Sequence, residues 1–114
     1  MNGYNKLILL GYLGHDPKLL SGADGKPYTY LSIATRRTHM TGQDKEVITD
    51  WHQVKVWGAQ AESCSKYLKK GSGVMVEAYL TPYQSQTPQG ESIKKVGIHA
   101  AKVEFLPRAK NLES

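Results

Sequence analysis

One helix-favouring segment stands alone among strand-like ones, and its position limits the folds open to this chain. Ala59–Lys70 (AQAESCSKYLKK) is rich in Ala, Glu, Leu and Lys. Those residues favour a helix, Lys69 and Lys70 suit its last turn, and Gly71 is a C-terminal stop. Ala61, Cys64, Tyr67 and Leu68 fall on one face of it, which predicts burial on that side. Elsewhere the pattern is that of strands: Asn5–Leu13, Tyr28–Arg37, Thr49–Trp57, Val74–Tyr83 and Ile93–Leu106. A parallel βαβ architecture needs a helix after nearly every strand, and only one is available. Five strands with one α-helix between the third and fourth predict an all-β fold, a five-stranded OB-fold barrel.

The connections fit that order. Gly14-His15-Asp16-Pro17 breaks the first strand, because proline cannot continue a ladder. Lys18–Leu20 has room for a brief pairing, and Ser21–Pro27 reads as a hairpin connection. Thr38–Val47 and Gln84–Ser92 read as polar loops, the first of them mobile. The last strand is long enough to carry a bulge at Gly97 or at Ala100-Ala101. The chain's 114 residues suit one domain, read here as residues 1–106 followed by a short flexible tail, 107–114.

Strand parity then separates core from surface, since successive side chains point to opposite faces. In the third strand His52, Val54 and Val56 share one face, and Trp51, Gln53, Lys55 and Trp57 share the other. In the fourth, Val74, Val76, Ala78 and Leu80 oppose Met75, Glu77, Tyr79, Thr81 and Tyr83. In the second, Leu31, Ile33 and Thr35 oppose Tyr30, Ser32, Ala34 and Arg36. If the aliphatic faces form the core, the outer sheet carries Trp51, Trp57, Tyr79, Tyr83, Arg36 and Lys55. Flat rings interleaved with cations suit single-stranded nucleic acid, whose bases stack and whose phosphates meet charge without sequence readout. Such a strand pair also suits a core or a protein interface, which favours Trp, Tyr and Arg too. An apolar opposite face, and Lys55 between the indoles, weigh toward an exposed functional face.

Charge agrees with that reading. Lys and Arg number 15 against 10 Asp and Glu, a net charge of +5, which suits an anionic partner. The single cysteine, Cys64, excludes an internal disulfide and a cysteine-based zinc site, and predicts a reducing, intracellular setting. No apolar run is long enough to span a membrane, and Met1–Lys6 lacks the order of a signal peptide. Enzyme motifs fail on inspection. Gly25-Lys26 is followed by Pro27 rather than Ser or Thr, and Gly71-Ser72-Gly73 lacks nucleophile-elbow spacing. His15, His39, His52 and His99 have no metal-site spacing, so neither catalysis, a metal nor a cofactor is expected.

Four stretches, taken in order, carry a family resemblance. They are Asn5–Pro17 (NKLILLGYLGHDP), Leu31–Thr35 (LSIAT), Asp50–Gly58 (DWHQVKVWG) and Tyr67–Glu77 (YLKKGSGVMVE). With them the chain resembles the bacterial single-stranded DNA-binding protein family over roughly residues 4–106. The resemblance implies an OB-fold homo-oligomer, usually a tetramer, that wraps single-stranded DNA in replication, recombination and repair, in the bacterial cytoplasm at the nucleoid. The stacking aromatics of the family map onto Trp51 and Trp57. The ring usual late in the second strand falls at His39, and the one before the fourth hairpin's turn falls near Ser85. Tyr83, two residues back and of the same parity, stands in for the latter. Gln53, Lys55, Arg36, Arg37, His39 and Tyr79 complete the expected DNA-binding set. Subunit contacts in the family lie on the first strand and on the histidine after the tryptophan, which here means Asn5, Leu7, Leu9 and His52.

Family members commonly continue into a Gly/Pro/Gln-rich linker and an acidic tip ending in Phe. Here the sequence reads Arg108-Ala109-Lys110-Asn111-Leu112-Glu113-Ser114, so replication and repair proteins are expected partners only if such a tail lies beyond it. The alternative class is an OB-fold accessory module of the primosomal kind, with DNA binding secondary. The Trp51/Trp57 pair favours the first class and the tail the second.

Overall fold

The computed structural model describes residues 3–107. Its elements are β1 (Leu7–Leu13), β2 (Leu20–Ser21), β3 (Pro27–Thr41), β4 (Asp44–Trp57), α1 (Gly58–Tyr67), β5 (Gly73–Gln86) and β6 (Ser92–Phe105). The sheet runs β1-β5-β6-β4-β3-β2, and β1 also pairs with β3. That last pairing, Tyr12 with Ala34 and Leu13 with Ile33, closes five strands into the expected barrel. All neighbours are antiparallel except β4 and β6, which meet in parallel at Val54/Ile98 and Lys55/His99. Closure depends on Gly11, where a Cβ would drive into the Ala34 carbonyl oxygen.

The core follows the aliphatic parities. Leu9, Leu13, Leu31, Ile33, Val54, Val56, Val74, Val76 and Ala78 fill the barrel, and Ala61, Cys64 and Leu68 close it from the helix. Thr29, the one buried polar residue among those described, donates its hydroxyl to the Lys18 carbonyl at 2.6 Å. The fourth-strand parity fails at its end, because Leu80 lies past the barrel rim and is 42% exposed.

The helix is shorter than its sequence suggests. It ends at Tyr67, and Leu68 turns extended (φ −100°, ψ 148°) to reach the core. Tyr67, expected on the buried side, is therefore exposed. Lys69 and Lys70 leave the helix and enter the turn, where Gly71 takes φ +91°. Asp16 ties that turn down, accepting the Lys70 N–H at 2.8 Å.

The polar segment Thr38–Val47 is not a loop. β3 and β4 pair without a break from Tyr28/Trp57 to Thr41/Asp44, leaving only Gly42 and Gln43 as the turn. Gly42 at φ +63° in first place is the Gly-first pattern of a type II′ hairpin. Its side chains are exposed on both faces, so the alternation that marks a half-buried strand is missing. The Gln84–Ser92 segment behaves similarly, with β5 and β6 paired out to Gln86/Ser92. The early short pairing is shifted by a residue, to Leu20–Ser21 against Tyr28 and Pro27.

The bulge lies at the second expected place. Glu77 pairs with Lys102 and Ala78 with Ala100, so Ala101 is the extra residue. Gln60 of α1 grips it: its side-chain amide donates to the Ala101 carbonyl at 3.1 Å and accepts the Val103 N–H at 2.8 Å. Beyond exposed Pro107, the expected tail lies outside the described residues.

Candidate nucleic-acid interface

Register places the outer face of the barrel residue by residue. Across β3 and β4 the paired residues are Tyr28/Trp57, Tyr30/Lys55, Ser32/Gln53, Ala34/Trp51 and Arg36/Thr49. Paired residues share a face, so rings and cations stand side by side on one surface. Lys55 also pairs with His99 on β6, and His99 with Tyr79 on β5. Tyr30, Lys55, His99 and Tyr79 thus form one row across four strands.

Contacts within this surface are close. The Tyr28 and Trp57 ring centroids are 5.1 Å apart, and Tyr28 meets Tyr30 edge-to-face at 5.8 Å. The Lys55 ammonium sits 4.3 Å from the Trp57 ring centre, 4.6 Å from Tyr28 and 5.6 Å from Tyr30. Each contact is a cation–π attraction, strongest for the indole. Lys26 reaches the same indole at 5.5 Å. Tyr79 stacks on His99 at 5.8 Å, with the ring planes 25° apart.

Trp51 is held differently. Its ring lies against Gly14, where a Cβ would collide with the indole, and it is 58% exposed. Between Trp51 and Lys55 a cleft opens, lined also by Tyr30, Gln53, Tyr83, Val96, Gly97, Ile98 and His99. No carboxylate lines it. Gly97 forms part of the wall beside the Tyr83 ring, about where a side chain would begin to fill the cleft.

The structure therefore brings Trp51, Gln53, Lys55, Trp57 and Tyr83 together, with Tyr79 one row away through His99. Arg36 lies on the same face but farther out, on the projecting β3–β4 ribbon. Arg37 and His39 lie on the odd-numbered side of β3. The Arg37 guanidinium is bound to Asp50, Nε to Oδ2 at 2.7 Å, and His39 is exposed opposite Glu46. Tyr28 and His99 enter the site without having been singled out from sequence, and Tyr30 joins it as more than a bystander. The tyrosines carried a signal, since their spacing of two matches Arg36 in parity. His99 carried none, because only its parallel pairing with Lys55 brings it here.

The four expected subunit-contact residues are also placed. Leu9 is a core residue, 6% exposed, and offers no side chain to a second subunit. Leu7 packs partly against the core. Asn5 is bound to Leu80, donating to its carbonyl at 2.7 Å and accepting its N–H at 3.0 Å. His52 is half-buried with Nε2 2.8 Å from the Thr35 hydroxyl. The exposed apolar residues of β1 are instead the even-numbered ones, Ile8, Leu10 and Tyr12.

A closed five-strand barrel with one helix between β4 and β5, and rings and cations on its outer sheet, is an OB-fold of the nucleic-acid-binding type. The model of the single-strand binding protein family matches residues 4–106, and the chain belongs to that family. Among relatives, it is 37% identical over 79 residues to Single-stranded DNA-binding protein 1 of Chlorobaculum tepidum. That match covers 68% of this chain and 49% of the relative, so the aligned part spans about half the relative's length. Among solved structures, a Plasmodium falciparum SSB in complex with ssDNA superposes with a TM-score of 0.82. The superposition covers 94% of this chain and 98% of that one at 24% identity, a likeness of fold.

Proposed function

We propose that this chain binds single-stranded DNA without reading its sequence, on the outer face of β3 and β4. The observation that carries the reading is the paired register of Tyr28/Trp57, Tyr30/Lys55 and Ala34/Trp51 beside a cleft with no carboxylate in its lining. Bases stack on Trp51, Trp57, Tyr30 and Tyr83, while Lys55, Arg36 and Lys26 meet the phosphates. Stacking is open to every base because every base has a π-face. Gln53 and His99 supply hydrogen-bonding groups to the cleft. Tyr79 braces His99, and Arg37 and His39 have at most an outlying part. No step of this function breaks a bond, so the role is coating and protection of exposed strands in replication, recombination and repair.

Family membership and the exposed side of β1 support a closed homo-oligomer, a dimer or tetramer. Ile8 and Leu10, 55% and 60% exposed, are the side chains we assign to that contact, with Leu7 and His52 at its margin. Titration of the protein with oligo(dT), followed by tryptophan fluorescence at low salt, tests the function. Saturable quenching is expected. Absence of quenching together with absence of binding in a separation assay would leave a protein-interaction role for the same aromatic face.

A further inference from the structure

A second patch of rings and lysines lies outside the cleft. An open groove of about 960 Å³ runs between the end of β1, the turn after α1 and the end of β6. Tyr12, Tyr67, Lys69, Lys70, Phe105 and Leu106 line it, with no carboxylate in the lining. Tyr12 and Tyr67 are 65% and 63% exposed, well beyond what a packing role requires. Lys66 stands 5.3 Å from the Tyr67 ring centre, adding a third ammonium at the edge. Gly73 forms the floor, where a Cβ would meet Leu106 at 3.3 Å and Tyr12 at 3.6 Å. The nearby carboxylate of Asp16 is engaged by the Lys70 N–H.

Register joins this groove to the cleft. Tyr12 pairs with Ala34, and Ala34 with Trp51. The three therefore share a face, with Tyr12 and Trp51 two strand spacings apart, about 10 Å. Ala34 is small and Gly14 has no side chain, so nothing tall stands between the two rings on these strands. We propose that single-stranded DNA leaving the cleft at Trp51 crosses Tyr12 and continues along this groove, its phosphates on Lys69 and Lys70 and a base on Tyr12 or Tyr67. The proposal rests on the reading of the β3–β4 face as the primary DNA surface.

The test uses oligo(dT) of two lengths, chosen near the two ends of the about 4–16 nucleotides that an OB barrel occludes. The variants are Lys69→Glu/Lys70→Glu and, separately, Tyr12→Ala, each checked by thermal melting. For the long oligomer the double variant is expected to lose about ten-fold or more in affinity. Its slope of log K against log salt should fall by about 1.4, the value for two phosphate contacts to a single strand. Tyr12→Ala should weaken the long oligomer with its slope unchanged, because a ring carries no counterion term. Both variants should bind the short oligomer within about two-fold of the unaltered protein, since it fits on the cleft alone. Equal losses for both lengths would mean that the lysines act only through the overall field, and would overturn the path. So would a long oligomer bound as tightly by the variants as by the unaltered protein. Failure of the unaltered protein to bind either oligomer would remove the cleft reading itself, a result distinct from these.

Discussion

At the scale of single residues, Val56 and Trp57 are neighbours in sequence with opposite duties. Val56 is fully buried in the barrel, while Trp57 stands half-exposed under Lys55 and against Tyr28. Val56→Ala should destabilise the fold by on the order of 1–3 kcal/mol by opening a cavity, with DNA affinity kept in the folded fraction. Trp57→Ala should cost about 1–3 kcal/mol of binding, with a smaller loss of stability from its contact with Tyr28. Thermal melts paired with oligo(dT) titrations on the two variants check both. A melt that collapses for Trp57→Ala and not for Val56→Ala would place the rings in the core. Cys64 makes a prediction of a different kind. Burial pushes its thiol up from 9.0 to about 11, because the thiolate has no water around it. Between those values the unfolded chain holds fewer protons than the folded one, so Cys64 should make stability fall as pH rises above about 9. Denaturant midpoints from pH 8 to 10.5 measure it, and Cys64→Ser should flatten that part of the profile.

At the scale of elements, what was legible in the sequence was whatever one buried face imposes. The alternation in DWHQVKVW fixed both the Val54/Val56 core and the Trp51/Lys55/Trp57 surface, because each strand has one apolar side there. The helix was visible through its composition, but not its end, since Leu68 abandons helical geometry to reach the core. The outer halves of β3 and β4 were illegible, because a ribbon with both faces in water has no apolar side to alternate. For the same reason the sequence carried no sign that Arg37 would be taken by Asp50 or that His99 would join the cleft. Both follow from pairings between strands far apart in the chain. On β1 the odd-numbered residues fill the barrel, which is why Leu9 is core and Ile8 and Leu10 are surface. The bulge shows how α1 contributes to this frame. Gln60 satisfies the Ala101 carbonyl and the Val103 N–H, groups that the broken ladder leaves without strand partners. Gln60→Ala should destabilise the barrel by about 1–2 kcal/mol, and amide exchange at Val103 should speed up more than elsewhere in β6. Unchanged exchange at that amide would show that the clamp contributes nothing.

At the scale of the whole molecule, charge and assembly decide how the surface is used. The net charge of +5 favours approach of a polyanion, and the carboxylate-free cleft directs it to the ringed face. The β1 stripe should hold copies of the chain together in closed symmetry. Multi-angle light scattering is expected to give a dimer or tetramer at micromolar concentration. Leu10→Glu should shift it toward monomer, because a symmetric contact repeats the inserted charge at every copy. A monomer in the unaltered protein would assign Ile8 and Leu10 to some other contact. The central claim, a stacking platform for unpaired bases, is tested most directly by comparing oligo(dT) with a duplex of equal length across a range of NaCl concentrations. The account predicts that the single strand binds more tightly at every concentration. Its affinity should fall as salt opposes counterion release, while part of the binding survives at high salt because stacking on Trp51 and Trp57 is not screened. A preference for the duplex, or binding that salt abolishes completely, would contradict it.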